Sequence, residues 1–134
     1  MVTDPDTLMA RARACLDRAH APYSHFRVAA AVVDDQGRVF TGVNVENVSY
    51  GLSMCAERVA IFTAVAAGAR RITAVAVAAT GADLLSPCGA CRQVLVEFAA
   101  PEAFVYCDAP GGMHRWTVGE LLPHAFAASR LGRG

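Results

Sequence analysis

The sequence predicts an α/β fold, with one mixed sheet carrying helices on its faces. Three observations support this. Alanine- and valine-rich runs alternate with stretches of helical spacing. A helical stretch follows each inner strand. Turn-forming residues separate the runs at short intervals.

The elements follow in order. Asp4 and then Pro5 read as an N-cap and a first helical residue. Leu8, Ala12, Cys15, Leu16 and Ala19 then share one helical face. Pro22 in "HAPYSHF" breaks that helix and pushes Ala21 out of helical geometry. "FRVAAAVVDDQGRVFTGVNVE" reads as two strands around a "DDQG" turn, with Phe26 beginning the first. "MCAERVAIFTAVAAG" favours a helix stopped by Gly68. "ITAVAVAAT" is a short buried strand. "CGACRQVLVEFA" is a further helix, "AFVYCD" a strand, and "TVGELLPHAFA" holds a last helical turn or two. "APGGMHRW", with its two glycines, reads as a turn or mobile loop.

At 134 residues, the chain suits one domain spanning 1–134, large enough to bury a core without staples. Its 12 basic and 12 acidic residues cancel, which argues against nucleic acid or an anionic membrane as partner. With 54% hydrophobic and only 18% charged residues, the chain is not disordered. The scarcity of charge hints at burial against copies of itself. No apolar run reaches the roughly 18 residues of a membrane helix. The charged first twenty residues are wrong for a signal peptide, so a cytoplasmic location is expected. There, five cysteines are reduced thiols or metal ligands rather than disulfides.

Cys55 stands at the start of one predicted helix, and Cys88 and Cys91 at the start of the next. Helix starts lie beside the carboxyl ends of strands, where ligands collect, and their partial positive charge favours thiolate over thiol. Three thiolates with one open position fit a catalytic zinc site, which lowers the pKa of a bound water to about 7. Glu57, two residues after Cys55, can approach the same cavity without being a ligand and move protons. Arg58 can hydrogen-bond a ligand sulfur and offset its charge. A redox pair, a structural zinc site and three inert cysteines are the competing readings of these cysteines. "CAE" with "PCGAC" matches the zinc-deaminase signature, in which Cys can replace the first His.

The chain resembles the small, homotetrameric zinc-dependent cytidine deaminases. The likeness runs from "APYSHFRVAAAV" through "TGVNVENVSYGLSMCAERVAIFTAV" and "SPCGACRQVLVEF" to "ELLPHAF". Ala29 departs from it, standing where the family usually has glycine, and the stretch from Glu102 to Thr117 matches poorly. The resemblance implies a three-layer α/β/α sandwich with one mixed five-stranded sheet and Zn2+ as cofactor. It also implies hydrolysis of cytidine and 2′-deoxycytidine in pyrimidine salvage, by a homotetramer with subunit-spanning sites.

By that resemblance, Asn44 and Glu46 of "NVEN" bind the ribose 3′-hydroxyl and Phe26 packs on the pyrimidine. Ala56 acts through its backbone at the base edge, and Tyr50 and Phe126 reach a neighbouring subunit's site. Residues two apart on a strand share a face, which suits Asn44 and Glu46 to gripping a sugar together. A carboxylate there repels a 3′-phosphodiester, so a small nucleoside, not a polynucleotide, is the expected substrate. The four histidines read as surface or supporting groups, and Cys15 and Cys107 as buried free thiols. Two other functions are weighed: deamination of a modified cytosine nucleoside such as blasticidin, and a zinc-binding domain without catalysis. The full "NVEN" disfavours the first, and the retained Glu57 disfavours the second.

Overall fold

The computed structural model describes residues 4–81 and 83–131. Asp4 caps helix α1 (Pro5–Arg13), its carboxylate accepting from the Thr7 N–H at 3.0 Å. After Arg13 the chain tightens into a short 3-10 turn at Leu16–Arg18. Cys15 and Leu16, expected on the helix, therefore lie beyond its end and are only half-buried.

Strand β1 (Val28–Asp34) is buried along its whole length and turns into β2 (Val39–Val43). The "DDQG" turn is held by Asp34, which is 1% exposed. Its carboxylate accepts from the Gln36 and Arg38 N–H groups and from the Arg38 guanidinium. Gly37 supplies the positive φ of 80° that closes the turn. Helix α2 (Ala56–Ala66) ends against Gly68, at φ 98°. Strand β3 (Ile72–Ala79), helix α3 (Gly89–Phe98) and strand β4 (Ala99–Ala109) follow. Strand β5 (Gly112–Thr117) leads into α4 (Val118–Leu121), which Thr117 and Glu120 cap reciprocally.

The sheet has five strands in the order β2-β1-β3-β4-β5. Only β3 and β4 run parallel, joined by the α3 crossover. Alternation along the strands sorts the core into two layers. Leu8, Met9 and Ala12 of α1 pack on Ala31, Val33, Ala76 and Ala78. Ala60 and Ile61 of α2, Leu95 of α3 and Leu121 of α4 pack on the opposite face, over Val32, Val75, Val77 and Val105. The result is the expected α/β/α sandwich. Ala29, the departure from the family pattern, is fully buried between Val43 and Ala78.

Two expectations need correction. "APGGMHRW" is not a loop: it is a tight turn followed by β5, paired antiparallel with β4 from Phe104↔Thr117 to Ala109↔Gly112. Gly111 and Gly112 take the positive φ values that fold the hairpin. Phe26 is not on β1, which starts two residues later, and neither is its neighbour His25. His25 instead sits in a turn at φ 59°. No helix of the described residues is long and apolar enough to cross a membrane.

Candidate active site

The first turns of α2 and α3 bring three thiols together. Cys55 is the N-cap of α2 and Cys88 the N-cap of α3, both extended, and Cys91 lies in the first turn of α3. The Sγ separations are 3.6 Å for Cys55–Cys88 and 3.5 Å for Cys88–Cys91, and all three sulfurs fall within 4.8 Å of one another. Thiolates bonded at about 2.3 Å to a tetrahedral ion stand about 3.8 Å apart, so the donor set fits zinc. Among the described residues, this is the one group of three or more His, Cys, Asp or Glu side chains placed to hold a metal. All five cysteines are free thiols, and Cys107 is buried in β4.

The three sulfurs share their protons unequally. A hydrogen bond from Cys91 pushes the Cys55 thiol down, against its burial, and the Arg58 guanidinium adds to the effect. Cys91 moves the other way, raised by that same bond to Cys55 and by burial. Arg58 donates from Nη2 to the Cys55 sulfur at 3.3 Å, while its Nε is buried with no hydrogen-bond partner.

Glu57, 5% exposed, projects from the first turn of α2 beside the sulfurs. Burial pushes its carboxyl up to about 7, and the Cys55 charge adds to the rise. A divalent cation on the three sulfurs would favour the carboxylate instead.

A cavity of about 270 Å³ opens over this centre, lined by Cys55, Ala56, Glu57 and Cys88 at its floor. Phe26, Val28, Leu85, Asn44 and Glu46 line it as well. Its size is near the lower end for small-molecule sites. Asn44 and Glu46 lie just past the end of β2, yet keep the alternation expected of a strand. Val45 between them is exposed and bridges His20 and Met54. The Asn44 amide is already engaged, accepting from Val28 N and donating to Phe26 O. Tyr50 and Phe126 do not line this cavity; they are 74% and 61% exposed and face outward. The Phe126 carbonyl is tied to α3 by the Gln93 amide at 2.8 Å.

Several contributors escape a reading by motif. Ser53, Met54, Leu85 and Ser86 line the cavity from segments flanking the cysteines. Arg92, directly after Cys91, donates to Pro87 O at 2.7 Å, Leu121 O at 2.9 Å and Ser86 Oγ at 3.3 Å. It pins the strap before Cys88 to α4, and its adjacency to a ligand-type cysteine was the available signal. Gly42 of β2 lies under α2, where an added Cβ would sit 2.4 Å from Ala60 N. The histidines at 20, 25, 114 and 124 stand outside the thiol cluster.

An α/β sandwich in which two helix starts converge on three thiols, with a buried glutamate two residues past the first helix cap, defines the class of zinc-binding deaminases. The family described as "Cytidine and deoxycytidylate deaminase zinc-binding region" matches residues 2–107. A cytidine deaminase of Halalkalibacterium halodurans is 44% identical over 129 residues, covering 96% of this chain and 98% of that protein. The crystal structure of a cytidine deaminase from Burkholderia pseudomallei superposes with a TM-score of 0.87 at 45% identity, over 92% of this chain and 100% of that one. That of a cytidine deaminase from Mycobacterium tuberculosis gives 0.80 at 42% identity, over 93% and 98%. The chain belongs to the cytidine deaminase family.

Proposed function

We propose that this protein hydrolyses cytidine and 2′-deoxycytidine to uridine and 2′-deoxyuridine, releasing ammonia, as a step of pyrimidine salvage in the cytoplasm. One observation carries the reading: a buried glutamate shares the floor of one nucleoside-sized cavity with Cys55 and Cys88, two of three clustered thiols, and Cys91 lies buried beside them. Cys55, Cys88 and Cys91 would hold zinc, which supplies the Lewis acidity that activates a water for attack on C4 of the cytosine ring.

The chain's own groups do the rest. Glu57 takes a proton from the attacking water and delivers it to N3. It then takes the proton of the hydroxyl added at C4 and passes it to the amine, which leaves as ammonia as the C4–N4 bond breaks and the C4 carbonyl forms. Its burial keeps bulk water from competing for those protons. Ala56 stands at the first position of α2, where the backbone N–H has no partner within the helix. That N–H is free for an acceptor on the base edge. Phe26 packs on the ring, and Val28 and Leu85 complete the apolar wall. Asn44 and Glu46 take the sugar hydroxyl. Arg58 stabilises the Cys55 thiolate and so supports the metal centre from outside it.

Glu46 places a carboxylate where a 3′-phosphodiester would pass, so a free nucleoside fits and a polynucleotide does not. Exposed Val48, Tyr50, Leu52, Phe62 and Phe126 are apolar surface that a homotetramer would cover. In that assembly Tyr50 and Phe126 would complete the site of a neighbouring copy.

Ammonia release tests the reading. Purified protein is incubated with cytidine, deoxycytidine, cytidine monophosphate, cytosine and blasticidin, with and without a chelator. Turnover of the two nucleosides alone, abolished by chelator, is the expected outcome. Turnover confined to blasticidin, or none at all with metal bound, would contradict it.

A further inference from the structure

The carboxylate of Glu46 is held from the segment just before β1. Its Oε1 accepts from the Tyr23 N–H at 3.0 Å and the Ser24 N–H at 3.1 Å. Its Oε2 accepts from the Ser24 hydroxyl. That hydroxyl in turn accepts from the Phe26 N–H at 3.0 Å. The last bond closes a turn over His25, whose φ of 59° is left-handed and disfavoured for a residue with a side chain. A serine oxygen bonding the N–H two residues on stabilises such a turn. Ser24 does not itself line the cavity, whereas Glu46 and Phe26 both do.

We propose that Ser24 is a positioning residue: its single hydroxyl clasps Glu46 to the turn that aims the Phe26 ring into the cavity. The inference rests on the nucleoside reading above, in which Glu46 takes the sugar and Phe26 the base. A serine hydroxyl has one hydrogen to donate, and here it goes to Glu46. A carboxylate offers about four acceptor directions, of which the loop occupies three. The remaining one lies on Oε2, ready for one hydroxyl of a bound ligand. The clasp thus sets both the direction of that lone pair and its distance from the ring that packs on the base. Without it, sugar and base contacts lose their fixed spacing.

Steady-state kinetics of zinc-loaded Ser24→Ala and Ser24→Thr on cytidine and 3′-deoxycytidine test this, together with the Glu46 carboxyl titration followed by carbon NMR. For Ser24→Ala, KM for cytidine should rise at least about tenfold, the loss expected for one hydrogen bond to a charged group, with kcat within about threefold. With 3′-deoxycytidine, which lacks the hydroxyl Glu46 would bind, the penalty should be at least about fivefold smaller. Ser24→Thr, which keeps the hydroxyl, should restore KM. The Ser24 hydroxyl is the leading influence holding the Glu46 carboxyl low, so that titration should move up in Ser24→Ala and return in Ser24→Thr. An equal penalty on both nucleosides, no rescue by threonine, or an unmoved Glu46 titration overturns the clasp while leaving the deaminase reading intact. Should wild-type protein deaminate neither nucleoside, the functional reading fails, and the Glu46 titration alone decides the clasp.

Discussion

Replacing Gly42 by alanine tests whether the approach of β2 to α2 sets the metal centre. A Cβ at this position would lie 2.4 Å from Ala60 N, 2.8 Å from Ala56 O and 2.9 Å from Ala60 Cα. All three are backbone atoms of the helix that carries Cys55 at its cap and Glu57 in its first turn. Ordinary contacts begin at about 3.5 Å, so the nearest pair falls short by about 1 Å. No flexible side chain can yield; the helix itself must move. Overpacking of this kind costs about 1–3 kcal/mol, and a backbone obstacle belongs at the upper end.

The consequence at the site is larger than the cost in stability. A productive zinc site holds its ligand distances to within about 0.2 Å, and a helix shift several times greater carries the Cys55 sulfur away from Cys88 and Cys91. Urea denaturation of the metal-free protein should show a lower midpoint with an unchanged slope. Competition with a chromophoric chelator should show zinc held at least about tenfold more weakly. A Gly42→Ala protein with wild-type midpoint and wild-type zinc affinity would refute the claim that this contact places α2.

Three further outcomes are expected. Glu57→Gln should retain stoichiometric zinc by elemental analysis and lose kcat by about 10²–10⁴-fold, the range for removal of a general acid–base group; near-wild-type turnover would remove Glu57 from proton transfer. Cys88→Ala should bind zinc more than about 100-fold more weakly, beyond what loss of a supporting contact costs, and full occupancy after dialysis would contradict its role as ligand. Burial pushes the Asp34 carboxyl up, but the Arg38 N–H, the Arg38 guanidinium and the Gln36 N–H outweigh it and leave the group below its ordinary value. The folded state therefore holds this carboxyl deprotonated more firmly than the unfolded chain does. That stability is present above the unfolded pKa and is lost as pH falls through the lower folded value. The urea midpoint of Asp34→Asn should trail that of wild type at pH 7, and the gap should close towards pH 3; a gap independent of pH would count against the linkage.

Much of the fold was legible because local and global signals agreed. Asp4-Pro5, the "DDQG" turn and Gly68 each bounded an element where its chemistry says it should, and β1 and β3 showed as unbroken Ala/Val runs because both their faces are covered. β5 was hidden. It is an edge strand with exposed His114 and Arg115, and its alternation is masked by the glycines of the turn before it. The start of β1 was misplaced because Phe26 favours a strand, while a serine-stabilised turn sets the backbone there.

At the site, the three cysteines and Glu57 were readable because their spacing is tied to helix starts. Gly42, Ser24 and Arg92 were not, because each acts through a contact with backbone or a distant carboxylate that no periodicity records. Tyr50 and Phe126 were named from resemblance alone, and within one chain they face away from the cavity.

X-ray absorption at the zinc edge, on protein purified without added thiol, interrogates the metal centre directly. Three sulfur scatterers at about 2.3 Å and one oxygen or nitrogen at about 2.0 Å is the predicted shell. A shell of four sulfurs would leave no place for solvent, and a shell of light atoms alone would remove Cys55, Cys88 and Cys91 as ligands; either would contradict the account.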